Sequence, residues 1–213
     1  MDPEQESLSQ ESPDQVQYTI LDVIRVVFTN FAGFAVSHLA RGTAPALYLV
    51  IWLIGMDATA GWLELEELIY GQYQTTNWFH AWIRIMGGGL AAGPIRYWIV
   101  GSLFHLGVRF SGGEGPARSS RYVFIYAALP VAIVDLVVKI VQMLVFQNQY
   151  FAGQIDPAVT GVVSMVMLIA FIFSIRICFQ GAVAALGADR KRLMVVFATV
   201  LFLLTAAMFS MTP

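Results

Sequence analysis

Three ionisable residues, Arg96, Asp135 and Lys139, lie inside segments of the sequence that are otherwise apolar. A charged side chain at the centre of a bilayer costs about 2.5–3.5 kcal/mol on insertion scales, so each needs a partner or water. Lys139 follows Asp135 by four residues, which places both on one helix face in the stabilising acid-before-base order. We therefore expect a buried cluster of the three residues, with Gln142 one turn further on. Its formal charge of +1 would be balanced by an extra anion, Asp57, or by a lowered lysine pKa.

This intramembrane polar cluster has two interpretations. In the first, Arg96 and Asp135 clamp two helices together while Lys139 pairs locally or extends to the interface, and nothing is transported. In the second, the excess positive charge marks a pathway for anions or protons. The first interpretation needs fewer coincidences, and we prefer it.

The segment GGGLAAGP at residues 87–94 is a candidate helix break at Gly89, Gly93 and Pro94. Proline removes a backbone hydrogen bond, and a broken helix at mid-depth builds the substrate site of many transporters. Alternatively, Gly89 and Gly93 have the spacing that lets a neighbouring helix approach closely, or Pro94 begins the true membrane helix. We favour close packing or a kink. A phosphate-binding loop is excluded, because it would follow a strand and lie in water.

Residues that could form a catalytic or metal centre are widely separated. His38, His80 and His105 fall in three different segments, so they do not converge on one metal ion. Ser102 and His105 share a helix face, but no nucleophile-elbow motif accompanies them. We expect no catalytic residue, no metal site and no cofactor, and the chain is predicted not to be an enzyme.

The composition indicates the solvent that surrounds these residues. Of the 213 residues, 58% are hydrophobic and 12% are charged, whereas soluble domains average about 45–50% apolar and about 25% charged. This excludes an ordinary soluble enzyme. The net charge is −2 without a basic tract, which excludes a nucleic-acid partner. The predicted fold class is an all-α integral membrane protein, with the lipid bilayer as its first partner.

The hydropathy pattern divides the chain into a tail, an interfacial helix and a membrane domain. Residues 1–17 are predicted to be a disordered acidic cytoplasmic tail without signal-peptide features, so the first span should direct insertion. Residues 18–41 form a predicted amphipathic interfacial helix, because a sixth span there would bury Asp22 and Arg25. Residues 43–212 form the domain, with five transmembrane helices at about 43–62, 81–108, 122–146, 158–178 and 193–211.

The distribution of basic residues predicts the orientation. A cytoplasmic N-terminus places nine of the twelve Lys and Arg residues on the cytoplasmic side, and the outer loops 63–80 and 147–157 contain none. Short cytoplasmic loops collect Lys and Arg. We expect the N-terminus in the cytoplasm and the C-terminus outside.

An acidic tail, an amphipathic helix and five spans with a glycine-rich turn after the second follow one another in the sequence. The most informative segments are LDVIRVVFTNFAGFAVSHLARG (21–42), WIVGSLFHLGVRFSGGEG (98–115) and YAALPVAIVDLVVKIV (126–141). In this order the chain resembles the Yip1 domain family in its compact bacterial form, although family members often carry a basic residue where this chain has Glu114. The resemblance implies the five-span fold and a cell inner membrane. Longer eukaryotic relatives associate with Rab-type GTPases, a function that we do not carry over.

The expected function is non-catalytic, in membrane organisation or as an interaction scaffold. The expected protein partner is a second copy of the chain or another membrane protein. The alternative is a small transporter or channel that uses Arg96, Asp135 and Lys139.

Overall fold

The computed structural model describes residues 19–70, 78–146 and 156–199, and every regular element in these ranges is helical. Two π-helical stretches occur within these ranges, at Ala35–Leu39 and Arg96–Val100. The α-helices are α1 Ile20–Thr29, α2 Phe31–Phe34, α3 Leu47–Tyr70, α4 Trp78–Ile95, α5 Gly101–Phe110, α6 Ala117–Phe146 and α7 Pro157–Leu186, followed by α8 at residues 190–199. The fold is all-α, as predicted.

Among the described residues, two helices have the length and apolarity to cross a membrane. They are α6 and α7, each of 30 predominantly apolar residues. They contain the predicted spans 122–146 and 158–178. A third candidate is the pair Ile20–Thr29 and Phe31–Leu39, whose two parts are bent by 120°. The apolar helices fit a membrane protein with two or three candidate spans.

The other three predicted spans are described to different extents. Helix α3 covers most of residues 43–62, and α4, the second π-helical stretch and α5 follow one another through residues 81–108. The last span, 193–211, is described only to residue 199, and the predicted tail 1–17 lies outside the described residues.

The structure divides the predicted interfacial helix of residues 18–41 into two segments. Helix α1 begins with a capping box between Thr19 and Asp22 and ends at Asn30, whose φ of −147° is not helical. The Asn30 side chain accepts a hydrogen bond from the Gly33 amide at 3.3 Å and so starts the next helix. Asparagine favours such N-caps because its short side chain satisfies an amide that has no partner in the first turn. This local signal produces a bend where the hydropathy pattern predicts continuity.

Helix α6 is the central element of the core. Its Tyr122, Ile125, Tyr126 and Leu129 are fully buried in the main hydrophobic cluster, which also contains residues of α1, α2, α3 and α7. Toward its C-terminus, Leu136 and Met143 of α6 join a second cluster with residues of α3 and α4. Asp135 and Lys139 belong to this same C-terminal half of α6.

The chain reverses direction at residues 111–116 and again at residues 187–189, and these two loops contact each other. The Glu114 amide donates a hydrogen bond to the Leu186 carbonyl at 3.1 Å, and the Asp189 amide donates one to the Ser111 carbonyl at 2.9 Å. We call this end of the bundle the basic end, because Arg109, Arg118 and residues 190–192 surround the loops.

Candidate functional site

Arg96 forms an ion pair with Asp57. The Arg96 Nη1 lies 2.7 Å from an Asp57 carboxylate oxygen, and the two side chains are 40% and 13% exposed. Arg96 opens the second π-helical stretch, whereas Asp57 lies in the middle of α3. The pair therefore links two separate helical elements.

Lys139 forms the second ion pair, with Asp135 one turn earlier on α6. The Lys139 Nζ lies 2.5 Å from an Asp135 carboxylate oxygen, and the side chains are 6% and 14% exposed. The four-residue spacing predicts this contact. Lys139 is thus a nearly fully buried lysine beside a carboxylate on its own helix.

The structure changes the partner that the sequence suggests for Arg96. We expected Asp135, but the ion pair is made with Asp57, which the sequence suggests only as an extra anion. The Asp57 and Asp135 carboxyl groups lie close enough to each other to interact. The four residues Asp57, Arg96, Asp135 and Lys139, here called the charged cluster, therefore contain two bases and two acids. With Asp57 the formal charge of +1 on the three predicted residues becomes zero, which is one of the two ways of balancing it that the sequence suggests.

Glycines set the distance across which the charged cluster forms. A Cβ atom added at Gly55 of α3 would lie 2.1 Å from the Gly89 carbonyl oxygen of α4, and one added at Gly93 would lie 2.3 Å from the Ile51 carbonyl oxygen. Such distances are far below van der Waals contact, so α3 and α4 touch backbone to backbone. Residues Gly89 and Gly93 occupy the packing role that their spacing suggests.

The stretch that ends at Pro94 remains helical. Residues from Trp78 to Phe110 form one uninterrupted helical run, so the candidate break at Gly89, Gly93 and Pro94 is absent from this part of the chain. Proline lacks an amide hydrogen and its ring crowds the preceding turn. The hydrogen bonding changes to the i→i+5 pattern of a π-helix at Arg96–Val100, which begins two residues after the proline. The distortion changes the register of the residues that follow, beginning with Arg96.

A second group of residues, which the sequence does not identify as a site, lies nearer the basic end. The Arg121 guanidinium carbon is 4.0 Å from the centre of the Trp98 ring and 5.5 Å from that of Tyr97. The Arg118 Nε donates to the Tyr122 hydroxyl at 2.5 Å. We call these five residues the arginine–aromatic cluster. Within the described residues, neither arginine has a carboxylate partner.

The arginine–aromatic cluster has a weak sequence signal. Tyr97 and Trp98 adjoin Arg96, but they are more than fifteen residues from Arg118 and Arg121. In the sequence, the two arginines serve only to predict orientation. The cluster becomes visible once α5 and α6 are known to pack side by side, so that Gly101 contacts Arg121.

The histidines have separate surroundings. His105 Nδ1 lies 2.9 Å from the fully buried Ser120 hydroxyl, on α6, rather than pairing with Ser102 on its own helix. His38 lies beside Phe34, with ring centres 5.3 Å apart, and His80 beside Phe79. In the part of the chain that the structure describes, no three His, Cys, Asp or Glu side chains are grouped to hold a metal ion.

Comparison with known proteins gives one match. The family model described as the Yip1 domain matches residues 26–211, nearly the whole chain. No curated protein and no solved structure matches the chain. The match therefore gives the family, and no matched protein supplies a substrate or partner.

Proposed function

The chain belongs to the Yip1 domain family, and from that premise we propose that it acts as a non-catalytic scaffold or organiser of the membrane. In this proposal the chain crosses a bacterial inner membrane five times, with its N-terminus in the cytoplasm and its C-terminus outside. Its protein partner is a second copy of the chain or another membrane protein. The lipid bilayer itself is the remaining partner.

The observation that carries the proposal is the neutrality of the charged cluster. Each base has a carboxylate within 2.7 Å, and the Lys139 side chain is only 6% exposed. Intramembrane charges that serve a transport pathway face a water-filled cavity or a substrate, whereas polar groups enclosed between helices and bonded to each other hold the helices together. The cluster therefore supports a fixed connection between α3, α6 and the π-helical stretch.

The glycine contact between α3 and α4 supports the same role. Moving α4 along α3 would bring side chains into positions where even a Cβ atom does not fit at Gly55, Gly89 or Gly93. Close backbone packing of this kind resists sliding, because the interface has few alternative registers. A rigid bundle suits a scaffold better than a protein that alternates between inward-open and outward-open states.

The second candidate, a small transporter or channel, is favoured by one observation. The Arg96 side chain is 40% exposed although its ion pair lies in the middle of the helical run. Such an exposed base beside two interacting acids is the kind of group that protons or anions would approach. A measurement of flux separates the two candidates.

The test compares wild type with Asp135→Asn in proteoliposomes, measuring proton flux and the flux of small anions. For a scaffold, wild-type liposomes leak no faster than empty ones, and Asp135→Asn lowers Tm in detergent without altering flux. Glu114→Gln is the matched control, because it removes one acidic charge from an exposed position in the loop after α5. A wild-type flux that Asp135→Asn abolishes in folded protein would establish transport and refute the scaffold.

The orientation has its own test. Glu114→Cys places a thiol in an exposed loop, and it is a better site than Gly112, whose φ of +79° strains any other residue. The native Cys178 is buried and gives little background. A membrane-impermeant maleimide should label Glu114→Cys only from the cytoplasmic side. Labelling from outside would reverse the proposed topology.

A further inference from the structure

The two arginines of the arginine–aromatic cluster are held in place with their phosphate-binding groups unused. They lie three residues apart on α6 and therefore share one side of the helix. Their hydrogen bonds engage only Nε: Arg118 donates to the Tyr122 hydroxyl at 2.5 Å, and Arg121 donates to the Ala117 carbonyl at 3.3 Å. Among the described residues, the terminal nitrogens of both guanidinium groups have no acceptor. These are the donors that bind phosphate oxygens in pairs.

The local charge differs from that of the charged cluster. In the part of the chain that the structure describes, the bases of the charged cluster have acids, whereas Arg118 and Arg121 contact tyrosine and tryptophan rings. Cation–π contacts orient a guanidinium without neutralising it. Two oriented positive charges therefore remain for an anion to balance.

The position of the arginines along α6 indicates where that anion lies. Helix α6 has 30 residues and is roughly 45 Å long at about 1.5 Å per residue, whereas the hydrocarbon layer is about 30 Å thick. Its ends therefore extend into the headgroup layers. Arg118 and Arg121 lie within its first five residues, at the depth of lipid phosphates.

The surface beside the arginines is apolar and exposed. Trp98 is 59% exposed, and Ile95 and Ile99 on the same helical run are 57% and 59% exposed. Ile95 lies one turn from Trp98 in the direction of the bundle centre. A ligand that fits here carries a phosphate beside a hydrocarbon chain, which describes a phospholipid rather than a soluble anion.

We infer that Arg118 and Arg121 bind the phosphate of an anionic phospholipid in the leaflet at the basic end, with an acyl chain along Trp98 and Ile95. The Arg121 guanidinium stacks on Trp98, so one residue pair contacts both parts of the lipid. The lipid site depends on membrane insertion of the chain but not on its proposed scaffold role. A negative result in the lipid-binding experiment therefore leaves the flux experiment unaffected.

The experiment uses native mass spectrometry of the full chain in detergent, titrated with phosphatidylglycerol, phosphatidylcholine or inorganic phosphate. The test variant is Arg118→Gln/Arg121→Gln. Its matched control is Arg190→Gln/Lys191→Gln, which removes the same charge from exposed positions at the same end. We expect the test variant to bind the first phosphatidylglycerol about tenfold more weakly than wild type. The control should stay within about threefold of wild type.

A lysine variant and a soluble anion separate paired hydrogen bonding from simple attraction of charge. Arg118→Lys/Arg121→Lys keeps the charge and helical propensity but lacks the planar paired donors, so it should lose most of the affinity. Inorganic phosphate at millimolar concentration should neither bind nor displace the lipid.

Three results would overturn the inference. The first is an equal loss of affinity in the control variant, which would reduce the effect to the general charge of the basic end. The second is wild-type binding by the lysine variant. The third is displacement of the lipid by inorganic phosphate, which would indicate a site for a free anion.

Discussion

The charged cluster and the arginine–aromatic cluster both include residues of the second π-helical stretch, but they differ in the groups that surround their positive charges. Arg96 contacts the carboxylate of Asp57, whereas the next two residues, Tyr97 and Trp98, lie beside the guanidinium of Arg121. In the first region the protein supplies both signs of charge. In the second, over the residues described, it supplies cations and aromatic rings alone.

This difference relates the depth of a basic side chain in the membrane to the group that balances its charge. Lys139, whose side chain is 6% exposed, needs an acid from the protein, because no other counter-ion is available there. A base at the headgroup layer has lipid phosphates as counter-ions, so the protein need supply only orientation. Variants in the charged cluster should therefore damage folding, while variants in the arginine–aromatic cluster should spare folding and alter lipid binding.

The largest effect on stability is expected from Gly55→Ala, which disrupts the backbone contact between α3 and α4. This contact brings the residues of the charged cluster together. The new Cβ would lie 2.1 Å from the Gly89 carbonyl oxygen, and backbone must move to accept it. Because the clash is with backbone and not with a flexible side chain, we expect destabilisation above the about 1–3 kcal/mol that is typical of overpacking, measured as a lower Tm in detergent. Gly61→Ala is the control on the same helix, because nothing lies within 4 Å of its added Cβ. Its Tm should stay level or rise, since alanine favours a helix; equal losses in both variants would contradict close packing at Gly55.

The next effect concerns the more deeply buried pair. Asp135→Asn removes the carboxylate that lies 2.5 Å from the Lys139 Nζ, and breaking a buried pair costs about 3–5 kcal/mol. The double variant Asp135→Asn/Lys139→Met removes both charges with little change in shape. We expect the double variant to have a higher Tm than the single one. If the double variant is less stable than either single variant, the ion pair contributes more stability than is lost by leaving one charge buried without its partner.

A smaller loss is expected from Asp57→Asn. Its partner Arg96 is 40% exposed and has a long side chain that can turn toward water or headgroups. We expect a loss of about 1–2 kcal/mol, less than for Asp135→Asn, because exposure screens the remaining charge. Thermal unfolding of both variants in one detergent gives the ranking. If Asp57→Asn is the more damaging, the Arg96 pair rather than the Lys139 pair is the main link.

Much of the charged cluster was predictable from the sequence, because ionisable residues in apolar segments are rare and the pair on α6 follows from a four-residue spacing. The partner of Arg96 was not predictable in this way. Choosing between Asp57 and Asp135 requires knowing that α3 packs directly on α4. The signal for that packing is Gly55, which faces Gly89 and Gly93, but a lone glycine on one helix does not specify its partner.

The all-α fold and the long helices α6 and α7 follow from hydropathy, since apolar runs of such length are unambiguous. The bend at Asn30 does not, because an amphipathic period continues on both sides of it and only the side-chain cap to Gly33 interrupts the helix. The arginine–aromatic cluster was missed for a third reason. It joins residues from two helices, and each helix alone shows only an ordinary interfacial pattern.

The smallest effect on stability is expected from Arg121→Gln. The arginine stacks on an exposed tryptophan, and contacts of this kind contribute about 0.5–1 kcal/mol at exposed sites. In plain detergent its Tm should therefore fall less than that of Asp57→Asn. Adding phosphatidylglycerol at ten times its Kd should stabilise wild type by about 1.4 kcal/mol, and Arg121→Gln, which removes one of the two arginines, should lose part of this gain. Asp57→Asn should retain the stabilisation by phosphatidylglycerol, because residue 57 lies outside the arginine–aromatic cluster. If the lipid stabilises Arg121→Gln as much as wild type, Arg121 does not bind the lipid, and the proposed difference between the two clusters is wrong.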